Sequence, residues 1–331
     1  MTGDGLVTVC IPAYRAEAFI DRTLRCARAQ SHEAQRVLVA IDRSEDGTEE
    51  ICREHARADG RVEVHAHREQ QGWFGNVNSL LDRVDTEFSF VYFHDDVIDS
   101  TYSEQLVGAL RRRPDAASAH CDVIVDRPDG ESLRRGGPYE GSAVERVLNH
   151  LVNPERGALL RSMVRRSSPA GSLRMTLQGA QYEMGLVAAG PAMHVPEPLY
   201  RRFDQRVGGL TDSWKRRPFE HYVEGCRYNA TIARELMDSL HPSPDERDLL
   251  EFGLAVYMSN RLRSLEALHA ATGLTPLEDV LGPGRGLQLP AAVDRLPEDL
   301  ARACRTALRR TERRDARRAA QVAGSGSGAA R

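Results

Sequence analysis

Two acidic turns carry residues whose type and placement can do chemistry, one with Asp42 and Asp46 and the other with the adjacent pair Asp95-Asp96. Each closely follows a short apolar run. A carboxylate at the end of a strand can accept hydrogen bonds from a ribose or a base. One beside a diphosphate can hold a divalent cation that neutralises a leaving phosphate. Asp in such turns also commonly caps the following helix. Taken singly, each therefore reads as a cap or turn residue; together and in this order they are more specific.

The elements that must position these carboxylates follow from the pattern between them. Val7–Ile11 is a β-rich run leading into Pro12-Ala13-Tyr14, and Ala16–Ala29 follows with Ile20, Leu24 and Ala27 at helical spacing. Val37–Ile41 reads as a second buried strand, Thr48–Ala58 as a helix, Val62–His65 as a third strand and Phe74–Arg83 as a helix. Phe88–Phe93 is a fourth strand running into His94-Asp95-Asp96. Alternating strands and helices imply an α/β fold, a mainly parallel sheet with helices on both faces, and such sheets bind ligands beyond the carboxyl ends of their strands. Residues 127–178 read as less regular, Tyr182–Ala189 as a helix, and Glu220–Leu240, Glu246–Ala271 and Glu298–Ala320 as a mostly helical remainder. The tail around Gly324–Gly328 has flexible-linker composition.

The chain has 331 residues, of which 41% are hydrophobic and 28% charged, a globular composition. Its 45 basic and 48 acidic residues leave a formal charge of −3, without the basic excess of a general nucleic-acid binder. No apolar stretch approaches the roughly 20 residues of a transmembrane helix. Leu6–Ala13 is too short, and too closely preceded by Asp4, for a signal peptide. The six cysteines are scattered without ligand-like spacing, which fits free thiols in a reducing cytoplasm.

Val7-Thr8-Val9-Cys10-Ile11-Pro12-Ala13-Tyr14, Asp42-Arg43-Ser44-Glu45-Asp46-Gly47-Thr48, Gly72 with Asn78, His94-Asp95-Asp96 and Val195-Pro196-Glu197-Pro198-Leu199-Tyr200-Arg201 agree in order and spacing with one family. Over roughly residues 6–205 the sequence resembles glycosyltransferase family 2, with its GT-A fold. The second segment looks like that family's DGSxDGT turn, and the fourth sits at its DxD position. The resemblance implies that Pro12, Ala13 and Tyr14 line a nucleotide base and that Asp42 contacts it. It also places Gly72 and Asn78 in nucleotide-sugar binding, Asp95 near the ribose or sugar, and Asp96 as ligand to Mg²⁺ or Mn²⁺. Inverting members usually carry a Glu-Asp pair whose Asp is the general base, where this chain has Ala180-Gln181. A glutamine cannot take a proton. Gln181 and Glu183 are therefore the catalytic candidates on that helix, about 200° apart around it, with Asp122, Asp204 and Asp212 as other acids. A leaving diphosphate that itself takes the proton is a further reading.

Weaker features have bland readings beside the functional ones. His65-Ala66-His67 is an exposed strand face before it is a metal site. Trp73-Phe74 reads as a buried aromatic anchor, and the arginines of Arg161–Arg174 read as a solvated face or loop or as a grip on an anion. Arg201, Arg202, Lys215 and Trp214 fall where the family carries a lid over the diphosphate.

The expectation is a catalytic GT-A domain over 1–215, a helical extension over 216–320 and a tail over 321–331. Its function is transfer of a sugar from a nucleoside-diphosphate sugar, a UDP-sugar first among them, to an unidentified acceptor, with a homodimer through the helical region as one use of the extension. The alternatives are a catalytically degenerate nucleotide-binding or scaffold protein and a nucleotidyltransferase. Against the latter, no Gly-rich phosphate loop follows Pro12.

Overall fold

The computed structural model describes residues 5–153, 159–175, 179–203, 219–268, 280–281 and 287–325. The chain divides into two compact units, residues 1–141 with 155–207 and residues 142–154 with 208–331. The boundary expected at 215, together with Asp204, Asp212, Trp214 and Lys215, lies outside the described residues.

The first unit is built in chain order from β1 (Val7–Ala13), α1 (Ile20–Arg28), β2 (Gln35–Ile41), α2 (Thr48–Ala58), β3 (Val62–Ala66), α3 (Gly72–Leu81), β4 (Phe88–Val91), β5 (Val97–Ile98), α4 (Tyr102–Arg112), β6 (Ser118–Arg127) and β7 (Gly130–Arg134). After α5 (Ala143–Val152), which belongs to the second unit, it continues with β8 (Met163–Arg165), α6 (Gly179–Ala189) and β9 (Ala192–Phe203). The strands form one mixed sheet in the order β3-β2-β1-β4-β8-β6-β9-β5, with β7 on β6. β3, β2, β1 and β4 run parallel, and β8 turns the direction before β6 and β9 run parallel again.

Every residue of β1 is buried, as a strand covered by helices on both faces requires. Val7, Val9 and Ile11 join Val37, Val39, Ile41, Phe88 and Phe90 in one core with Ile20, Leu24 and Ala27 of α1. A fully buried leucine such as Leu24 contributes about 2 kcal/mol. The alternate residues of β1 and β2 point the other way, and α3 packs against these two strands.

Two boundaries differ from the periodicity for a definite reason. α1 begins at Ile20 rather than Ala16, because residues 15–17 are tied to the turn after β2: the Arg15 and Ala16 N–H groups donate to the hydroxyls of Ser44 and Thr48, and that of Glu17 donates to Asp46. α3 begins at Gly72 rather than Phe74, because its start is anchored by a carboxylate from outside the helix. Residues 127–178 are more regular than their sequence suggests, since they contain β7, α5 and β8.

In the second unit α5, α7 (Phe219–Ser239) and α9 (Glu298–Ser325) each pack on α8 (Pro244–Leu268), and α5 also meets α9. α5 starts on a capping box in which Ser142 and Glu145 exchange side-chain and backbone bonds. Gly253 lets α8 approach α5: a Cβ there would stand 2.9 Å from Leu148 and 3.1 Å from Leu151. Among the described residues no helix is long and apolar enough to cross a membrane.

Candidate active site

Strand order reverses at β1, since β2 and β3 lie on one side of it and β4 on the other. Ligands of open α/β sheets bind at such a switch, beyond the carboxyl ends of the strands. Pro12, Ala13 and Tyr14, then Asp42, then His94-Asp95-Asp96 leave β1, β2 and β4 at that end. Hydrogen bonds stitch them together. The Asp42 N–H donates to Ala13 at 2.9 Å. His94 Nδ1 donates to the Pro12 carbonyl at 2.8 Å, which places a proton on that nitrogen. Pro12 and Ala13 are buried and Tyr14 is half-buried.

Asp42 is 2% exposed. Its Oδ1 accepts from the backbone N–H groups of Arg43 at 3.2 Å and Gln71 at 2.7 Å, and its Oδ2 from Gly72 at 3.0 Å. The carboxylate thus anchors the start of α3, where it also meets the positive end of the helix dipole. Gly72 turns at φ +70°, a conformation that favours glycine. One acceptor position of Oδ2 remains for a further donor. Asp46 has the expected cap-like role, accepting from the Thr48 hydroxyl at 2.6 Å and its N–H at 3.3 Å. Burial alone would raise its carboxyl, but these bonds and the one from Glu17 outweigh burial and hold it below the usual range.

Asn78 does not join this group directly. Its amide donates to the Met175 carbonyl and accepts from the Met175 N–H, each at 2.8 Å. The neighbouring Asn76, not singled out by the sequence, is buried and donates to the carbonyls of Ala13 at 3.2 Å and Ala40 at 3.0 Å, fixing α3 over the ends of β1 and β2.

The backbone of the His94–Asp96 loop is held from α1: Thr23 donates to the His94 carbonyl at 2.7 Å and Arg22 to that of Asp95 at 2.8 Å. Asp95 is half-buried, whereas Asp96 is 2% exposed and turned inward. Asp96 Oδ2 accepts from Arg161 Nε at 3.2 Å and Nη2 at 3.1 Å and from the Tyr200 hydroxyl at 2.8 Å, while Oδ1 accepts from the Phe203 N–H at 3.2 Å. Burial pushes the Asp96 carboxyl up, against the pull of the Arg161 guanidinium.

Tyr200 reaches Asp96 because β9 is interrupted. Cys121 pairs with Val195 but Val123 pairs with Tyr200, so Pro196-Glu197-Pro198-Leu199 bulges out of the ladder. Two prolines without N–H donors make a continuous ladder impossible there. Arg161 itself lies in a segment read from sequence as a solvated face or loop or as a grip on an anion. Its guanidinium is instead largely buried, 4.8 Å from the Phe93 ring centre and 5.1 Å from that of Tyr200. The signal in sequence was its arginine-rich surroundings, which do not say which arginine turns inward.

On α6, Gln181 and Glu183 are half-buried, and Glu183 Oε1 accepts from the Leu160 N–H at 3.2 Å. Glu183 therefore braces the turn that carries Arg161. Asp122 is engaged elsewhere, accepting from His194 at 2.7 Å and the Gly136 N–H at 2.8 Å. His65 stands 4.0 Å from Glu63 and His67 bonds the Ser79 hydroxyl, so these two imidazoles have separate partners. Trp73 and Phe74 form an aromatic pair with Phe93 behind Trp73. Arg201 is paired to Glu131 and Asp126.

The donor set at Asp96 does not fit a divalent cation. Its single negative charge is already balanced by a guanidinium, and three of its four bonds fall on the oxygen that faces Arg161. Among the described residues no cluster of three or more His, Cys, Asp or Glu side chains is placed to hold a metal. None of the six cysteines forms a disulfide, and burial pushes the thiols of Cys10, Cys52, Cys121 and Cys304 up to about 12.

The sequence and the fold are similar to those of known glycosyltransferases. The family described as Glycosyl transferase family 2 matches residues 8–166. EpsH of Bacillus subtilis is 29% identical over 254 residues, covering 77% of this chain and 67% of EpsH. The glycosyltransferase GlyA of Streptococcus pneumoniae is 27% identical over 106 residues, 32% of this chain and 15% of GlyA. Among solved structures, TarS of S. aureus (residues 1–349, in complex with UDP-GlcNAc) superposes with a TM-score of 0.63 at 14% identity, covering 92% of this chain and 89% of that one.

Proposed function

Because its sequence places this chain in glycosyltransferase family 2, we propose that it transfers a sugar from a nucleoside-diphosphate sugar to an acceptor hydroxyl or amine. The observation that carries this reading is the convergence of Tyr14, Asp42 and the Asp95-Asp96 loop on the strand-order switch. Pro12, Ala13 and Tyr14 line the base, and Asp42 offers the remaining position of Oδ2 to a base N–H. Gly72 keeps the start of α3 close to the nucleotide, Asn78 acts from behind by holding residue 175, and Asp95 faces the ribose or sugar.

On α6, Gln181 orients the acceptor and Glu183 takes its proton. The reading routes no step through Mg²⁺ or Mn²⁺, which the resemblance implies but the Asp96 donor set does not suit. UDP is the first nucleotide to test, because TarS of the same fold was solved with UDP-GlcNAc. Six unpaired thiols support a reducing compartment, the cytoplasm.

The test is a binding panel of UDP, GDP, dTDP and CMP and their sugars, followed by product analysis. One nucleotide binding, and its sugar being cleaved to the free nucleotide, is the expected result. A nucleotide that binds while its sugar stays intact in the presence of acceptor extracts identifies a degenerate binding protein instead.

A further inference from the structure

We infer that Arg161, together with Arg22, supplies the positive charge that receives the donor's diphosphate in place of a divalent cation. This rests on the nucleotide-sugar reading above and concerns how the same site holds its ligand.

Four observations carry it. First, Arg161 occupies Asp96: two of its nitrogens lie 3.1 and 3.2 Å from Oδ2. A dication on this carboxylate would share one negative charge with a guanidinium, at a residue 2% exposed, where repulsion between cations is poorly screened. Second, the guanidinium is fixed before any ligand arrives. Phe93 and Tyr200 lie against it, Tyr102 donates to the Arg161 carbonyl, and Glu183 holds the preceding N–H. A preorganised donor fork loses little on engaging phosphate oxygens.

Third, the fork is not used up. Asp96 takes Nε and Nη2, and among the described residues no carboxylate or carbonyl takes the N–H groups of Nη1. The side chain keeps 13% exposure. Fourth, Arg22 contacts the same loop. It is exposed, donates to the Asp95 carbonyl, and stacks 4.7 Å from the centre of the Phe203 ring, whose own N–H is on Asp96. No carboxylate pairs with Arg22 among the described residues. Two guanidinium groups thus engage the Asp95-Asp96 loop, one buried and one open, and the guanidinium fork suits phosphate oxygens.

The experiment is calorimetric binding of the nucleoside diphosphate selected from UDP, GDP and dTDP, and of its parent nucleoside, to the full chain in excess EDTA and in excess Mn²⁺. Wild-type protein, Arg161→Gln and Arg22→Gln are compared, with melting curves for each. The expected result is a diphosphate affinity that agrees within about threefold in EDTA and in Mn²⁺. Arg161→Gln should weaken the diphosphate by about tenfold or more while leaving the nucleoside unchanged; Arg22→Gln should weaken it less.

A wild-type affinity that rises tenfold or more with Mn²⁺ overturns the inference and leaves the donor reading standing. Equal weakening of diphosphate and nucleoside in Arg161→Gln assigns that residue to structure alone and also overturns it. Should Arg161→Gln fail to fold, the wild-type comparison in EDTA and Mn²⁺ and the Arg22→Gln variant decide. Absence of binding by every nucleotide in both conditions overturns the donor reading itself.

Discussion

Asn78 and Met175 hold one another by a reciprocal pair of hydrogen bonds, each 2.8 Å, across 97 residues of sequence. The amide of Asn78 treats the backbone of Met175 as a neighbouring strand would. The bonds join α3 to the segment that precedes α6. Met175 is 2% exposed, and its backbone groups lose their partners if the amide goes. Asn78→Ala should therefore cost about 2 kcal/mol, the usual result of leaving buried polar groups unpaired. Asn78→Asp should cost at least as much, because a carboxylate then faces the Met175 carbonyl. Thermal unfolding checks both, with an expected fall of roughly 4–8 °C for a unit of this size.

Asp42 joins the end of β2 to the start of α3, and its charge matters as well as its shape. Three backbone N–H groups point at it, and Asn in its place would present an NH₂ group to at least one of them. Asp42→Asn should lose about 2–3 kcal/mol, the worth of charge-assisted bonds to a buried carboxylate. It should also weaken nucleotide and nucleoside together, since the residue is assigned to the base. Chemical unfolding and calorimetry on the same variant separate the two effects. Loss of the diphosphate alone would contradict that assignment.

The second unit carries its own pH dependence. His150 on α5 is 3% exposed, its ring 6.2 Å from that of Tyr257. Burial pushes its imidazole down from 6.5 to about 4. The unfolded chain then binds a proton that the folded one does not, so stability is complete above about pH 6.5 and falls as the pH drops towards 4. The fall from this group reaches about 3 kcal/mol. Urea unfolding followed at neutral pH and near pH 4.5 should show it, and His150→Leu should flatten that part of the slope.

The parallel half of the sheet was legible because its strands are apolar on both faces and its turns are acidic. Val7–Ala13 and Gln35–Ile41 contain the runs read as strands, and Asp42 and Asp96 lie where those runs place them. What sequence did not disclose depends on contacts between distant segments. α1 and α3 start where Thr48 and Asp42 fasten them, which periodicity within a helix cannot register. Arg161 is one of several arginines in its stretch, and only the bulge at Pro196–Leu199 brings Tyr200 to Asp96 and closes a cage around it. α5 could have been found locally: Ser142 and Glu145 stand at capping-box spacing before an apolar run. Gly136-Gly137-Pro138 drew that region towards a loop reading instead.

Glu183 offers the sharpest test of the catalytic assignment, because its two possible duties respond differently to one substitution. Its Oε1 accepts from the Leu160 N–H, and glutamine retains an oxygen that can do the same. Glu183→Gln therefore keeps the brace on the turn that carries Arg161 and removes the ability to take a proton. As general base, Glu183 supplies about 10²–10⁴-fold of rate. The variant should melt within about 1 °C of the wild type, a change below that of a typical surface substitution, and should bind the donor normally. Its turnover should fall by that factor, and the acidic limb of the pH–rate profile should disappear. A variant that turns over at the wild-type rate leaves Glu183 with bracing alone, and proton transfer then passes to the leaving diphosphate.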